Sequence, residues 1–131
     1  MVANAVLGLL GIARKAGKLA CGEEQVSSMV ESGQCRAVCL AEDAGEAMRR
    51  KAAWYNRRVP VLMLPADKQT LGNAIGMRRD CTVCAVNDIG MANAIAEKLG
   101  AANASNQEAA ARVAGKKARI DARKGKKKHR E

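Results

Sequence analysis

At 131 residues, 48% of them hydrophobic, the chain has room for one domain of about 100 residues plus an extension. Phe is absent and Trp54 and Tyr55 are the only aromatic residues, which excludes RNA-binding folds that stack bases on several exposed sheet aromatics. The formal charge of +10 is uneven, with 13 Lys/Arg against 10 Asp/Glu in residues 1–100 and 10 against 3 in residues 101–131, a distribution that points to a polyanionic partner, with nucleic acid the commonest and an anionic membrane surface the alternative.

Val6, Leu9, Leu10, Ala13 and Ala16 recur at helical spacing and predict a first helix ended by Gly17. Leu19-Ala20-Cys21 is a short extended piece that leads into Gly22. A second helix, burying Val26, Met29 and Val30, stops at Gly33. Ala37–Ala41 is a continuous apolar run of strand length, as expected for a strand covered on both faces. Asp43 is expected to cap the next helix, with Glu46 completing a capping box and Ala44, Ala47, Met48, Ala52 and Tyr55 facing inward. Val59–Leu64 is the next strand, with Pro60 near its start, where a missing N–H does least harm. Asp67 opens a short helix that runs through Leu71 and Ile75 to Gly76. Cys81–Val86 forms a further buried strand, and Asp88 caps a helix closed by Gly100. Short apolar strands between amphipathic helices predict an α/β fold, a three-layer α/β/α sandwich with a small mixed sheet of about four strands. The expected domain is 1–100. Residues 101–131, Ala-rich and then Lys/Arg-rich, form a basic extension that is flexible or helical and has too few apolar residues to fold alone.

The segment Gly22-Glu23-Glu24-Gln25-Val26 carries the strongest functional signal. Glycine admits another molecule's backbone because it has no Cβ. The first turn of the following helix leaves N–H groups pointing outward, ready for a phosphate. Glu24 and Gln25 can accept hydrogen bonds from guanine N1–H and N2–H₂ groups, and Arg14, Lys15 and Lys18 supply cations nearby. The alternative is that Gly22 is only a turn and the acids are dipole partners.

Enzyme chemistry is poorly represented. The single histidine, His129, lies in the basic extension, no phosphate-loop motif is present, and Gly8-x-x-Gly11 falls inside a helical stripe. Cys21, Cys35, Cys39, Cys81 and Cys84 are odd in number, which argues against a disulfide framework. Cys81 and Cys84 have CxxC spacing but fall in a strand-like run, where positions i and i+3 point to opposite faces. They are therefore expected to be buried thiols, with no metal and no cofactor bound and no small-molecule substrate. No apolar run approaches the roughly 18–20 residues of a membrane span, and Val2–Ile12 has no charged segment before it. The expected setting is cytoplasmic, without a membrane partner.

Gly17-Lys18-Leu19-x-x-Gly22-Glu23-Glu24-Gln25-Val26, Val38–Ala44, Val59-Pro60-Val61 and Leu71–Gly76, in that order, resemble the kink-turn RNA-binding ribosomal protein family. The similarity is greatest to its bacterial YlxQ-type branch and covers about residues 3–100. No single motif is specific; the ordered set is. The resemblance implies a non-catalytic, ribosome-associated protein that binds structured, ribosomal RNA at a sharp bend containing sheared G·A pairs. It also implies that Gly22, Glu23, Glu24 and Gln25 read the guanines. Met77 and Arg79, with Arg78 between them, would close over the bent strand. Lys15 and Lys18 would contact its backbone. The chain departs from the family pattern at Glu24, where Asn is usual, at Gln25, where Glu is usual, and at Ser28, where a lysine is usual. Those departures motivate an alternative: a regulatory or protein-interaction module that kept the fold and binds nucleic acid non-specifically through its basic extension.

Overall fold

The computed structural model describes residues 2–129 and the side chains of residues 3–124. The basic side chains of Lys126–Lys128 and Arg130, and the His129 side chain, lie outside what is described. The elements are α1 Val2–Lys15, β1 Leu19–Cys21, α2 Glu23–Glu31, β2 Ala37–Leu40, α3 Glu46–Tyr55, β3 Val61–Met63, α4 Lys68–Ala74, β4 Val83–Val86, α5 Ile89–Ala102 and α6 Gln107–His129, with a 3-10 turn, Ala104–Asn106, before α6.

The strands form one mixed sheet in the order β1-β4-β2-β3. β4 is antiparallel to both β1 and β2, and β2 is parallel to β3. All residues of the central strands β2 and β4 are buried, whereas the edge strands alternate. This is the pattern that continuous apolar runs produce when helices cover both faces. Val38, Leu40, Val83 and Ala85 pack with α2 and α3 residues Val26, Val30, Ala52 and Tyr55. On the other face, Ala37, Cys39, Cys84 and Val86 pack with Val6 and Leu10 of α1 and Ile95 and Leu99 of α5. The three-layer α/β/α architecture and the mixed four-stranded sheet are thus as expected.

Three local features differ from the sequence reading. Asp43 does not cap α3: that helix starts at Gly45 without a side-chain cap, and the Asp43 carboxylate accepts the Lys68 N–H at 2.8 Å. The carboxylate is spent on joining two loops. Ala47 is exposed rather than inward, while Ala52 and Tyr55 are buried, because starting the helix at Glu46 sets a different inward stripe.

The third difference concerns the extension. α5 runs past Gly100 to Ala102, and Ala109 and Val113 of α6 belong to the main core. A Cβ on Gly100 would stand 2.9 Å from the Ala110 Cβ, so glycine permits the close approach of α5 and α6. The Asn106 amide accepts from the Met63 N–H and donates to the Met63 carbonyl, both at 2.9 Å. That side chain occupies the open edge of β3, where a further strand would otherwise pair.

Candidate nucleic-acid interface

Because β1 and β4 are antiparallel, the chain leaves β1 at Gly22 beside the point where it enters β4. Gly22 has φ +89° and ψ 161° and precedes α2 without any side-chain cap. A Cβ there would meet nothing within 4 Å, so the backbone conformation, not crowding, demands glycine. Its N–H donates to the Val83 carbonyl at 3.0 Å and its carbonyl accepts from Val26 N–H at 3.0 Å. Glu23, Glu24 and Gln25 are exposed. The uncapped first turn therefore faces solvent, with its N–H groups oriented toward an outside acceptor. The Gln25 side-chain Oε1 turns back to accept the Cys21 N–H at 3.2 Å, so among the described residues Glu24 is the exposed acceptor of the pair with no bond within the chain.

The loop after α4 lies alongside. Gly76 has φ +77°, and the Met77 N–H donates to the Gly72 carbonyl at 2.8 Å. A Cβ on Gly72 would sit 2.3 Å from the Arg79 carbonyl oxygen; no side chain fits, and the loop closes against α4 only because residue 72 is glycine. Met77 is half-buried against the core, while Arg78 and Arg79 are exposed. Two residues on, Cys81 donates its backbone N–H to the Lys68 carbonyl at 3.0 Å. Burial raises the Cys81 thiol pKa, against a smaller lowering by the Gly22 N–H beside it and by Arg14. Gly22 thus touches the Cys81–Val83 segment that follows Arg78 and Arg79, at one pole of the sheet.

The cations are distributed unequally. Arg14 donates to the Ile75 carbonyl and lowers the pKa of both Cys21 and Cys81 against the larger effect of burial, so its guanidinium stands where the corner meets the loop. Lys15 is exposed on a cleft of about 300 Å³ that it shares with Asn73 and Gly76. Lys18 is at the other end of β1. Its carbonyl accepts the Asn87 N–H at 3.2 Å and its ammonium pairs with Asp88 at 3.4 Å. The length of β1 separates it from Gly22.

The cysteines also differ from the sequence reading. Cys81 precedes β4 rather than lying in it, so the alternation of a strand does not apply, and Cys81 and Cys84 share one core face. All five are free thiols. A hydrogen bond from Cys39, then burial, raises the Cys84 pKa, and burial pushes Cys35 up to about 12. Protonated, enclosed thiols are poor nucleophiles and poor metal ligands. Among the described residues no group of three or more His, Cys, Asp or Glu side chains could hold a metal ion.

Two residues that shape this pole lay outside the sequence-level site. Asp43 tethers the β2–α3 loop to α4, and Gly72 seats the arginine loop. The Leu-Gly-Asn-Ala-Ile-Gly stretch signalled Gly72, but its contact with Arg79 depends on how the loop folds back.

The class so defined is a three-layer α/β/α domain that presents a helix N-terminus and a basic loop from one pole of a mixed sheet. The chain belongs to the ribosomal protein L7Ae/L30e/S12e/Gadd45 family, whose sequence pattern matches residues 4–96. It is 30% identical over 78 residues to the large ribosomal subunit protein eL30 of Aeropyrum pernix, covering 58% of this chain and 78% of that one. Among solved structures, a protein of unknown function from Bacillus halodurans superposes with a TM-score of 0.67 at 35% identity, covering 72% of this chain and 96% of the other. A 15.5 kD RNA binding protein of Giardia lamblia shares the fold, with a TM-score of 0.62 at 19% identity and coverage of 76% and 85%. Among the described residues no helix is long and apolar enough to cross a membrane.

Proposed function

We propose that the chain is a non-catalytic, ribosomal-type RNA-binding protein that engages a bent, kink-turn-like RNA at the Gly22 pole. The observation that carries this reading is the placement of Gly22 against Val83 and the Cys81 thiol, in the segment that follows Arg78 and Arg79, with an uncapped helix N-terminus at the same pole. Phosphate takes the first-turn N–H groups, Glu24 accepts from guanine, Met77 packs on a displaced nucleotide, and Arg78, Arg79 and Lys15 contact the backbone. Membership of a ribosomal-protein family supports the same partner, structured RNA in the cytoplasm.

The test uses the full chain, a kink-turn RNA, and the same RNA with its G·A pairs replaced by Watson–Crick pairs. Glu24→Ala is expected to reduce discrimination between the two by about tenfold or more, the size of one base-edge contact, whereas Arg79→Ala weakens both about equally. Equal affinity of the unaltered chain for both RNAs removes the reading. The engaged Gln25 carbonyl favours a second reading, a regulatory or protein-interaction module with non-specific nucleic-acid binding; it predicts no discrimination and no effect of Glu24→Ala.

A further inference from the structure

At the opposite pole of the sheet, a cleft of about 510 Å³ lies between α6, the α2–β2 turn and the α3–β3 connection. One wall of it, formed by α6, lies beyond the residues matched by the family. Its rim carries Arg36, Arg58, Arg112, Lys116 and Arg119 against one carboxylate, Glu31. Arg36, Arg112 and Lys116 are half-buried, and among the described residues none of the five makes an ion pair. Arg112 donates to the Asn56 side chain at 3.0 Å, and Arg58 stands over the Trp54 ring at 5.0 Å. Both are thereby pre-oriented while keeping donors to spare. Half-buried like charges repel and lose hydration; an external anion relieves both.

The shape of the cleft gives a second, independent sign. Gly115 lies on its wall in the middle of α6, where glycine costs about 1 kcal/mol relative to alanine. Neither backbone nor packing requires it: its φ is not positive, and an added Cβ would meet only the Arg119 guanidinium, at an ordinary 3.7 Å. The missing side chain keeps the cleft open for close approach. Beyond it, Arg123 and Lys124 carry the exposed positive charge farther along α6, which suits a string of phosphates better than one ion. Among the described residues no aromatic ring lines the cleft, so bases find no stacking platform there.

We infer that this cleft is a second RNA site, which grips the sugar-phosphate backbone of a duplex irrespective of sequence. The chain then bridges two RNA segments, held at poles at least the roughly 13 Å of a four-residue strand apart. The inference shares RNA as ligand with the proposed function but does not depend on the Gly22 pole.

The experiment titrates the full chain with a short straight RNA duplex between about 50 and 200 mM salt. Arg36→Gln/Lys116→Gln is expected to lower affinity at least about tenfold at low salt and to reduce the salt slope by about two. Arg50→Gln/Lys98→Gln, the same change in charge on exposed helix surfaces, is expected to change either much less. Gly115→Leu, which fills the cleft with charge unchanged, is expected to weaken binding about tenfold while the chain melts no earlier. Equal effects of the two charge pairs, or no effect of Gly115→Leu, overturn the cleft. Displacement of the duplex by inorganic phosphate at matched ionic strength also overturns it, in favour of a single-ion site. Should the charge variants fail to fold, hydrogen exchange on the unaltered chain decides: duplex-induced protection within residues 111–119 is expected, and none there refutes the site. Glu24→Ala lowers the preference for bent RNA without weakening binding of the straight duplex, whereas Arg36→Gln/Lys116→Gln weakens the duplex, so loss of bent-RNA recognition and loss of the cleft are read separately.

Discussion

Gly22 and Gly72 impose different demands. At Gly22 the space over the α-carbon is open and only the dihedral angles, φ +89° and ψ 161°, exclude a side chain. Gly22→Ala is expected to lower stability by about 1–3 kcal/mol, the usual cost of a residue held in such a region, read as a fall in the urea midpoint with an unchanged slope. At Gly72 the obstacle is the Arg79 carbonyl, 2.3 Å from a built Cβ. Gly72→Ala must push the loop outward, so it is expected to impair RNA binding more than Arg78→Ala does. Binding at the unaltered level would show that the loop tolerates displacement.

Among the elements, helix starts and the docking of α6 carry most of the testable content. The Thr70 N–H holds the Asp67 carboxyl below its ordinary pKa, and the Met91 N–H, with Lys18 beside it, does the same at Asp88. A carboxylate with a depressed folded pKa contributes stability above its unfolded pKa of about 3.9, and loses that contribution as pH falls through the folded value. The melting temperature should therefore drop on acidification below about pH 4. Asp67→Asn/Asp88→Asn, which keeps acceptors at both caps, should flatten that drop; an unchanged acid limb would assign it to other carboxylates. For α6, Val113 is fully buried in the main core. Val113→Ala is expected to cost about 2 kcal/mol, and deletion after Ala102 should destabilise the whole domain. A deletion that melts like the full chain would show that α6 contributes no stability.

Across the whole molecule, the cysteines report how tightly the body is closed. Four of the five are buried and Cys21 is half-exposed, and burial raises the pKa of Cys35, Cys21 and Cys81. In the folded chain at pH 8, a thiol reagent should modify Cys21 first, with the other four following only at the rate of opening. Fast reaction of several thiols would reveal a looser core. The same closed body holds two basic surfaces at opposite poles, one built by loops around Gly22 and one completed by α6. That arrangement fits the proposed role of a clamp between two RNA segments.

The amino-acid sequence by itself determined the elements and their layers. Helical and strand periodicity, the Asp67 and Asp88 caps and the fully apolar β2 and β4 segments are short-range signals, readable within a few residues. The ordered motifs also pointed to Gly22 and the Met77–Arg79 loop as the candidate site. Only the tertiary structure decided which distant groups meet. It gave Asp43 to Lys68 rather than to its own helix, moved Lys18 to the far end of β1 beside Asp88, and set Cys81 on the face of Cys84. It also drew Ala109 and Val113 into the core from a segment too polar to fold alone. Such pairings follow from strand order, loop return and close helix crossings, which depend on the packing of the whole chain and leave little trace in any local window.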